Sequence, residues 1–314
     1  MTAVFTREEL PADSFVPKHK AERNLQFADA GSTTLGDLVD LARYPIDAPD
    51  SPAFGELIER VQADLAQDGC SILPGFLTSE GLQKARREGR ELAPKAFYQE
   101  LMCNIYNTAP DPSLPEDDAR NLFFERSSGF VTRDVIPADM AIHRLYVSPA
   151  MKRLVSLCTG EREVYEYADP FAGLVFNVLP PGTQQPWHYD GNEFVTTVLL
   201  QEPEEGGEFE YCPSIRQPGH ENLEGVARVV RGDDTEPVRR LKLRPGDLQL
   251  FKGRYSLHQV TRVGGQRARH SAVFGYAKKP GVVGPTERTR QLYGRVSEAH
   301  ILAERKASHD GLIR

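Results

Sequence analysis

The sequence predicts an α+β protein with a mainly β core: a double-stranded β-helix (jelly roll, cupin-like) with flanking N-terminal helices and a C-terminal helix. Three observations predict it. From residue 163 onward, short β-rich runs follow one another, among them GLVFNVL, EFVTTVLLQ, DLQLFK and RHSAVFGYA. Gly and Pro punctuate the junctions, as in PPG at 180–182, EEGG at 204–207 and RPGD at 244–247. Many short strands with frequent turns mark a jelly roll or barrel. Before residue 163, apolar residues instead recur at the three- and four-residue steps of a helix.

Residues 1–50, rich in Pro, Asp and Ala, read as an N-terminal arm. Residues 51–162 read as a helical and irregular part packed on the core. Ser51-Pro52 combines an N-cap with Pro at the first helical position, and Leu57, Ile58, Val61 and Leu65 follow at helical spacing, so a helix is expected over about 52–68. Gly69 ends it, CSILPGF (70–76) is a short strand, and Thr78 caps a helix over about 79–92. Residues 95–135 hold many aromatics and a Pro-rich polar loop, and are expected to form pocket wall. Ser148-Pro149 opens a third helix that Gly160 closes.

Residues 163–280 are the expected jelly-roll core, interrupted by a charged insertion at 213–239 that could cover a site. Residues 281–314 have helical composition. All of this is expected to be one structural domain.

Composition narrows the function classes. The 39% hydrophobic content is enough for a core, and 26% charged residues suit a soluble surface. No stretch concentrates Lys and Arg with interleaved aromatics, which argues against nucleic-acid binding. No apolar run approaches the roughly 20 residues that span a bilayer. The N-terminus lacks the apolar region of a secretory signal. The four cysteines, Cys70, Cys103, Cys158 and Cys212, show no CxxC spacing. Reduced thiols in a cytoplasmic protein are expected.

The chemistry lies in WHYDGNEF (187–194), GRYSLHQVTRV (253–263) and RARHSAVFGY (267–276). His188 and Asp190 stand two apart in an expected strand, so both would point to one face about 7 Å apart along the backbone. His258 lies 68 residues beyond Asp190 in another expected strand. Two imidazoles and one carboxylate make a facial triad, which holds Fe(II) and leaves open positions for a co-substrate and O2.

A lone HxD, a lone His or a lone strand Arg is ordinarily structural. The order carries the signal: HxD, then PGD, a strand, SLH, and Arg269-x-Ser271 eleven residues after His258. A guanidinium at Arg269 can grip a carboxylate bidentately, with the Ser271 hydroxyl as a second donor. Arg267 is the rival anchor on that face. No catalytic side chain is expected beyond the metal centre.

Four stretches carry a resemblance: YADPFAGLVFNVLPPG (167–182), WHYDGNEFVTTVLLQEPEEGGEFEYCPSIR (187–216), FKGRYSLHQVTRVGG (251–265) and RARHSAVFGYAKKPG (267–281). They resemble the Fe(II)- and 2-oxoglutarate-dependent dioxygenases. More narrowly, about 165–295 resembles the family of BesD- and HalD-type free amino acid halogenases and their hydroxylase relatives. The resemblance implies a jelly-roll core, His188, Asp190 and His258 on iron, and Arg269 on the far carboxylate of 2-oxoglutarate. In the halogenating members a Gly replaces the carboxylate ligand and vacates a position for chloride. Asp190 is present here, which favours hydroxylation over halogenation.

The expected activity is therefore hydroxylation of an unactivated C–H bond, with release of succinate and CO2. The expected substrate is a small molecule, a free amino acid or derivative. Desaturation or cyclisation of a natural-product intermediate is the alternative outcome, and a non-catalytic metal-binding jelly roll is a distant third. Asn177 is a further candidate contact of 2-oxoglutarate. Asn192, Glu193 and Arg216 are candidate substrate contacts, Glu193 for a substrate ammonium. Trp187 is expected to pack in the core, since alternation turns it away from the metal.

Overall fold

In the computed structural model, which describes residues 35–235 and 237–306, the helices expected after Ser51, Thr78 and Ser148 begin at those caps. Helix α1 spans Pro52–Asp68. The Ser51 hydroxyl accepts from the Phe54 amide, and Gly69 closes the helix with φ 67°, a left-handed conformation that glycine adopts without a Cβ clash. Helix α2 spans Ser79–Leu92, capped by the Thr78 hydroxyl on the Gly81 amide. Helix α3 (Ala141–Val147) stops at Ser148, whose side chain caps α4 (Pro149–Thr159). Helix α5 is Leu223–Arg231. The C-terminal segment, expected as one helix, is two. Gly294 ends α6 (Thr286–Tyr293), and α7 (Glu298–Lys306) follows.

The strands, in chain order, are β1 (Cys70–Leu73), β2 (Phe97–Tyr98), β3 (Leu101–Cys103), β4 (Phe124–Arg126), β5 (Gly129–Thr132), β6 (Tyr165–Glu166), β7 (Leu174–Leu179) and β8 (Gln185–His188). Then come β9 (Val195–Gln201), β10 (Glu205–Gly206), β11 (Phe209–Cys212), β12 (Arg239–Leu241), β13 (Leu248–Phe251), β14 (Leu257–Val260), β15 (Val263–Gly264) and β16 (Arg269–Ala277). The larger sheet runs β1-β13-β9-β16-β7-β5-β2, with β6 also on β16, and the smaller runs β12-β11-β14-β8. Their pairings are antiparallel. Two facing antiparallel sheets joined by long crossovers are the jelly roll that the turn-rich sequence predicts.

Period-2 alternation divides each strand of the larger sheet between two environments. In β16, His270, Ala272 and Phe274 are buried towards the helices, whereas Arg269, Ser271 and Val273 face a cavity. In β7, Leu174 and Phe176 join the helix-side core with Phe54, Val61, Leu145 and Leu154, whereas Val175 and Asn177 line the cavity. Each fully buried side chain of this kind stabilises the fold by about 1.5–3 kcal/mol, so the helices are the structural backing of the sheet. A second core lies behind the smaller sheet. There Trp187 and Cys212 pack with Val226, Val229 and Val230 of α5.

Residues 1–34 of the expected arm lie outside the described residues, as does 307–314. Residues 35–50 pack through Leu38, Val39, Tyr44 and Ile46, and Val39 bridges to Leu77. The charged insertion at 213–239 contains α5, whose apolar face is buried. Among the described residues, no helix is long and apolar enough to cross a membrane.

Candidate metal and 2-oxoglutarate site

The cavity between the sheets has a volume of about 650 Å3, and His188, Asp190 and His258 lie in its wall. β8 ends at His188, so Asp190 lies just past the strand and not within it as expected. Its place is held instead by its amide, which donates to the Gly253 carbonyl at 3.0 Å. His188 and His258 are register partners across β8 and β14. Their ring centroids are 4.1 Å apart. One ligand atom from each of the three residues fits within 4.8 Å of the others.

Backbone carbonyls orient both imidazoles. His188 Nδ1 lies 2.7 Å from the Pro186 carbonyl and His258 Nδ1 lies 3.0 Å from the Ser256 carbonyl. A carbonyl only accepts, so each Nδ1 carries a proton and each Nε2 is the nitrogen left for a metal. Those Nε2 atoms face the carboxylate: His188 is 3.9 Å from Asp190 Oδ1 and His258 is 3.4 Å from Oδ2. Burial, with the neighbouring His258, holds the His188 imidazole neutral, down to about 3 from an ordinary 6.5. Burial works against ionisation of Asp190, yet the two imidazoles and Arg288 hold its carboxyl at about 2. Two imidazoles and an ionised carboxylate are the donor set that divalent iron takes, so the residues present fit the metal.

Gly253 is a functional position that pattern reading missed. A Cβ there would fall 1.8 Å from Asp190 Oδ2. Only glycine lets the backbone approach the carboxylate this closely. Nothing in the one-dimensional pattern ties Gly253 to Asp190.

Arg269 opens β16 on the cavity side and is 4% exposed. Its Nη1 donates to the Ser271 hydroxyl at 3.1 Å, and no carboxylate pairs with it among the described residues. Burial alone lowers its ordinary value to about 10. An isolated buried cation is costly, so the arrangement calls for an anion from outside the chain. Asn177 stands opposite Ser271 in the β7–β16 register, and its Oδ1 is buried without a hydrogen-bond partner. Arg267 points elsewhere. It is exposed and donates to the Glu202 and Pro203 carbonyls, which leaves Arg269 as the candidate that lines the cavity.

The remaining candidates divide. Asn192 lines the cavity and bonds the Tyr167 hydroxyl. Arg216 also lines it, with its guanidinium 3.6 Å from the Tyr189 ring centroid and its Nη1 on Glu221. Glu193 does not line it. Its carboxylate is engaged by Lys278, which also meets Glu161, so it is removed as a contact for a substrate ammonium. From 95–135, Ile105, Tyr106, Asn107 and Phe130 contribute wall.

A jelly roll with this donor set and a buried, unmatched guanidinium is that of an iron- and 2-oxoglutarate-dependent oxygenase, and the protein is an enzyme of that class. The family model Halogenase D matches residues 120–292, and the chain belongs to that family. Among solved structures, a 2OG-Fe(II) oxygenase family oxidoreductase from Burkholderia pseudomallei is 17% identical, covers 72% of this chain and 92% of its own, and has a TM-score of 0.47. The epimerase SnoN from nogalamycin biosynthesis is 14% identical, covers 71% and 83%, and scores 0.49. A Pseudomonas putida prolyl-4-hydroxylase is 16% identical, covers 71% and 99%, and scores 0.43. Comparison with curated proteins finds no match.

Proposed function

We propose that the protein hydroxylates an unactivated C–H bond of a small, amino-acid-like molecule, with His188, Asp190 and His258 holding the iron. Arg269, Ser271 and Asn177 would bind 2-oxoglutarate. The observation that carries the reading is Arg269: a buried guanidinium without a carboxylate, in the same cavity as the triad. A protein that only bound metal would have no use for it.

Iron(II) bound there supplies O2 activation coupled to decarboxylation of 2-oxoglutarate. The overall balance is R–H + 2-oxoglutarate + O2 → R–OH + succinate + CO2. The chain's own residues orient and shield. The Pro186 and Ser256 carbonyls fix the imidazole rings, Gly253 admits the Asp190 carboxylate, and Arg269 sets the direction of the co-substrate by gripping its distal carboxylate. Asp190 supports hydroxylation over halogenation within the family, because a carboxylate occupies the position that chloride needs.

The test is a mass-spectrometric screen of free amino acids and derivatives with Fe(II), 2-oxoglutarate and O2, with succinate measured in parallel. A product heavier by one oxygen, formed with stoichiometric succinate, is expected. A product lighter by two hydrogens would replace hydroxylation by desaturation or cyclisation. Absence of succinate with every compound, together with 2-oxoglutarate affinity unchanged in Arg269→Ala, would sink the enzyme reading of this site.

A further inference from the structure

The cavity's charges are lopsided. Its lining carries four guanidinium groups, Arg216, Arg254, Arg269 and Arg288, and two carboxylates, Asp169 and Asp190. Neither carboxylate is available to a substrate. Asp190 belongs to the triad. Asp169 is 1% exposed, and its oxygens accept from the Phe171, Ala172 and Gly284 amides and meet His300 Nε2 at 2.9 Å. Among the described lining residues, no uncommitted carboxylate remains for an ammonium group.

The cations are unequally committed. Arg269 is taken by the co-substrate in the reading above, and Arg216 is matched by Glu221 at 3.1 Å. Arg254 is exposed and, among the described residues, donates only to the Gly191 carbonyl, at 3.3 Å. Arg288, half-buried on α6, has no hydrogen bond or ion pair among the described residues. A Cβ on Gly191 would lie 2.9 Å from its Nη1. Two guanidinium groups without a carboxylate thus flank Gly191, the residue immediately after Asp190. Gly191 directly follows Asp190 in the chain, so an anion bound by these two guanidinium groups lies beside the metal position. Charge-assisted contacts to a carboxylate are what two such forks offer.

We propose that the substrate is a net anion, a dicarboxylic or N-acylated amino acid without an obligatory ammonium, whose carboxylate is held by Arg288 and Arg254 beside Gly191. The proposal rests on the oxygenase reading and names the substrate class of that same cavity. Desolvation works in its favour: an ammonium entering this cavity would lose water and find no uncommitted carboxylate in the wall, whereas a carboxylate relieves the mutual repulsion of the guanidinium groups.

Anaerobic calorimetric titration of the Mn(II)- and 2-oxoglutarate-loaded enzyme tests it. The probes are aspartate, glutamate and N-acetylated amino acids, set against lysine, ornithine and arginine. Binding is expected from the anionic set. Arg288→Gln should weaken it by roughly tenfold or more, the loss expected for a charge-assisted hydrogen bond. Arg288→Lys should fall between, and 2-oxoglutarate affinity should hold in both variants, which also reports that they fold. Tighter binding of a cationic amino acid, no binding of any anion, or anion affinity unchanged in Arg288→Gln would overturn the proposal. Failure of wild-type enzyme to bind 2-oxoglutarate would overturn the oxygenase reading first, and the co-substrate titration reports that separately.

Discussion

The two ends of the cavity are built on opposite principles. At the triad, polar atoms that set geometry are satisfied from within: the ring nitrogens facing away from the site meet the Pro186 and Ser256 carbonyls, and the Asp190 amide meets Gly253. At Arg269, and again around Arg288, charge is left without a carboxylate partner. The difference teaches where the chain must pre-organise and where a ligand completes the structure. Metal ligation needs fixed lone pairs before the metal arrives. A carboxylate-binding cation needs the opposite, since an internal carboxylate would compete with the ligand.

Breaking the satisfied end should have the largest effect. Asp190→Ala or His258→Ala should lower metal affinity by more than about 100-fold, beyond the range typical of losing an outer hydrogen bond, and abolish succinate formation. Metal titration and succinate assay measure both. If either variant retained wild-type metal affinity, the triad would not be the ligand set.

Gly253→Ala comes next. It leaves every proposed ligand in place but puts a methyl group where the Asp190 carboxylate lies. Metal affinity should drop by about 10–100-fold, with thermal stability changed far less than metal affinity. Unchanged metal binding would show that Asp190 can move away without cost.

At the unmatched end, Arg269→Leu should weaken 2-oxoglutarate by about 10-fold or more while metal affinity holds. Its second readout has the opposite sign to an ordinary core substitution. Removing a buried, unpaired cation relieves desolvation, so the melting temperature without ligands should stay level or rise. A marked fall would mean that the guanidinium serves the fold.

The smallest effect concerns pH. Burial holds the folded-state value of His188 at about 3, and burial with Arg86 and Arg90 nearby holds His270 at about 4, both below 6.5. The unfolded chain therefore takes up these protons first as pH falls. Stability of the metal-free protein is full above pH 6.5 and declines below it, by up to about 1.4 kcal/mol per pH unit for each group. Urea midpoints at several pH values between 7.5 and 4.5 measure the decline. His270→Gln should remove its share and leave that of His188, and an unaltered slope would remove His270 from the account.

How much was legible in the sequence differs between these regions. The caps at Ser51, Thr78 and Ser148 set helix starts because capping is a local contact between neighbours. The shared face of Arg269 and Ser271 on β16 was readable from alternation, which is also local. The C-terminal break at Gly294 was missed because the flanking composition is helical on both sides. Asp190 was placed in a strand because HxD alternates, but β8 ends two residues earlier. The carboxylate reaches the histidines through Gly253, 63 residues away along the chain, and no periodic signal joins such a pair.

By itself, the sequence determined the boundaries of the helices opened by Ser51, Thr78 and Ser148, the jelly-roll texture, the three candidate donor residues and the candidate anchor at Arg269, because each rests on residue type and short-range spacing. Tertiary structure alone turned Arg269 into the cavity and Arg267 out of it, left Glu193 outside the lining, and brought Arg254 and Arg288 next to Gly191. Those outcomes depend on which distant groups meet, and on whether a charge finds its partner inside the chain or keeps it for a ligand.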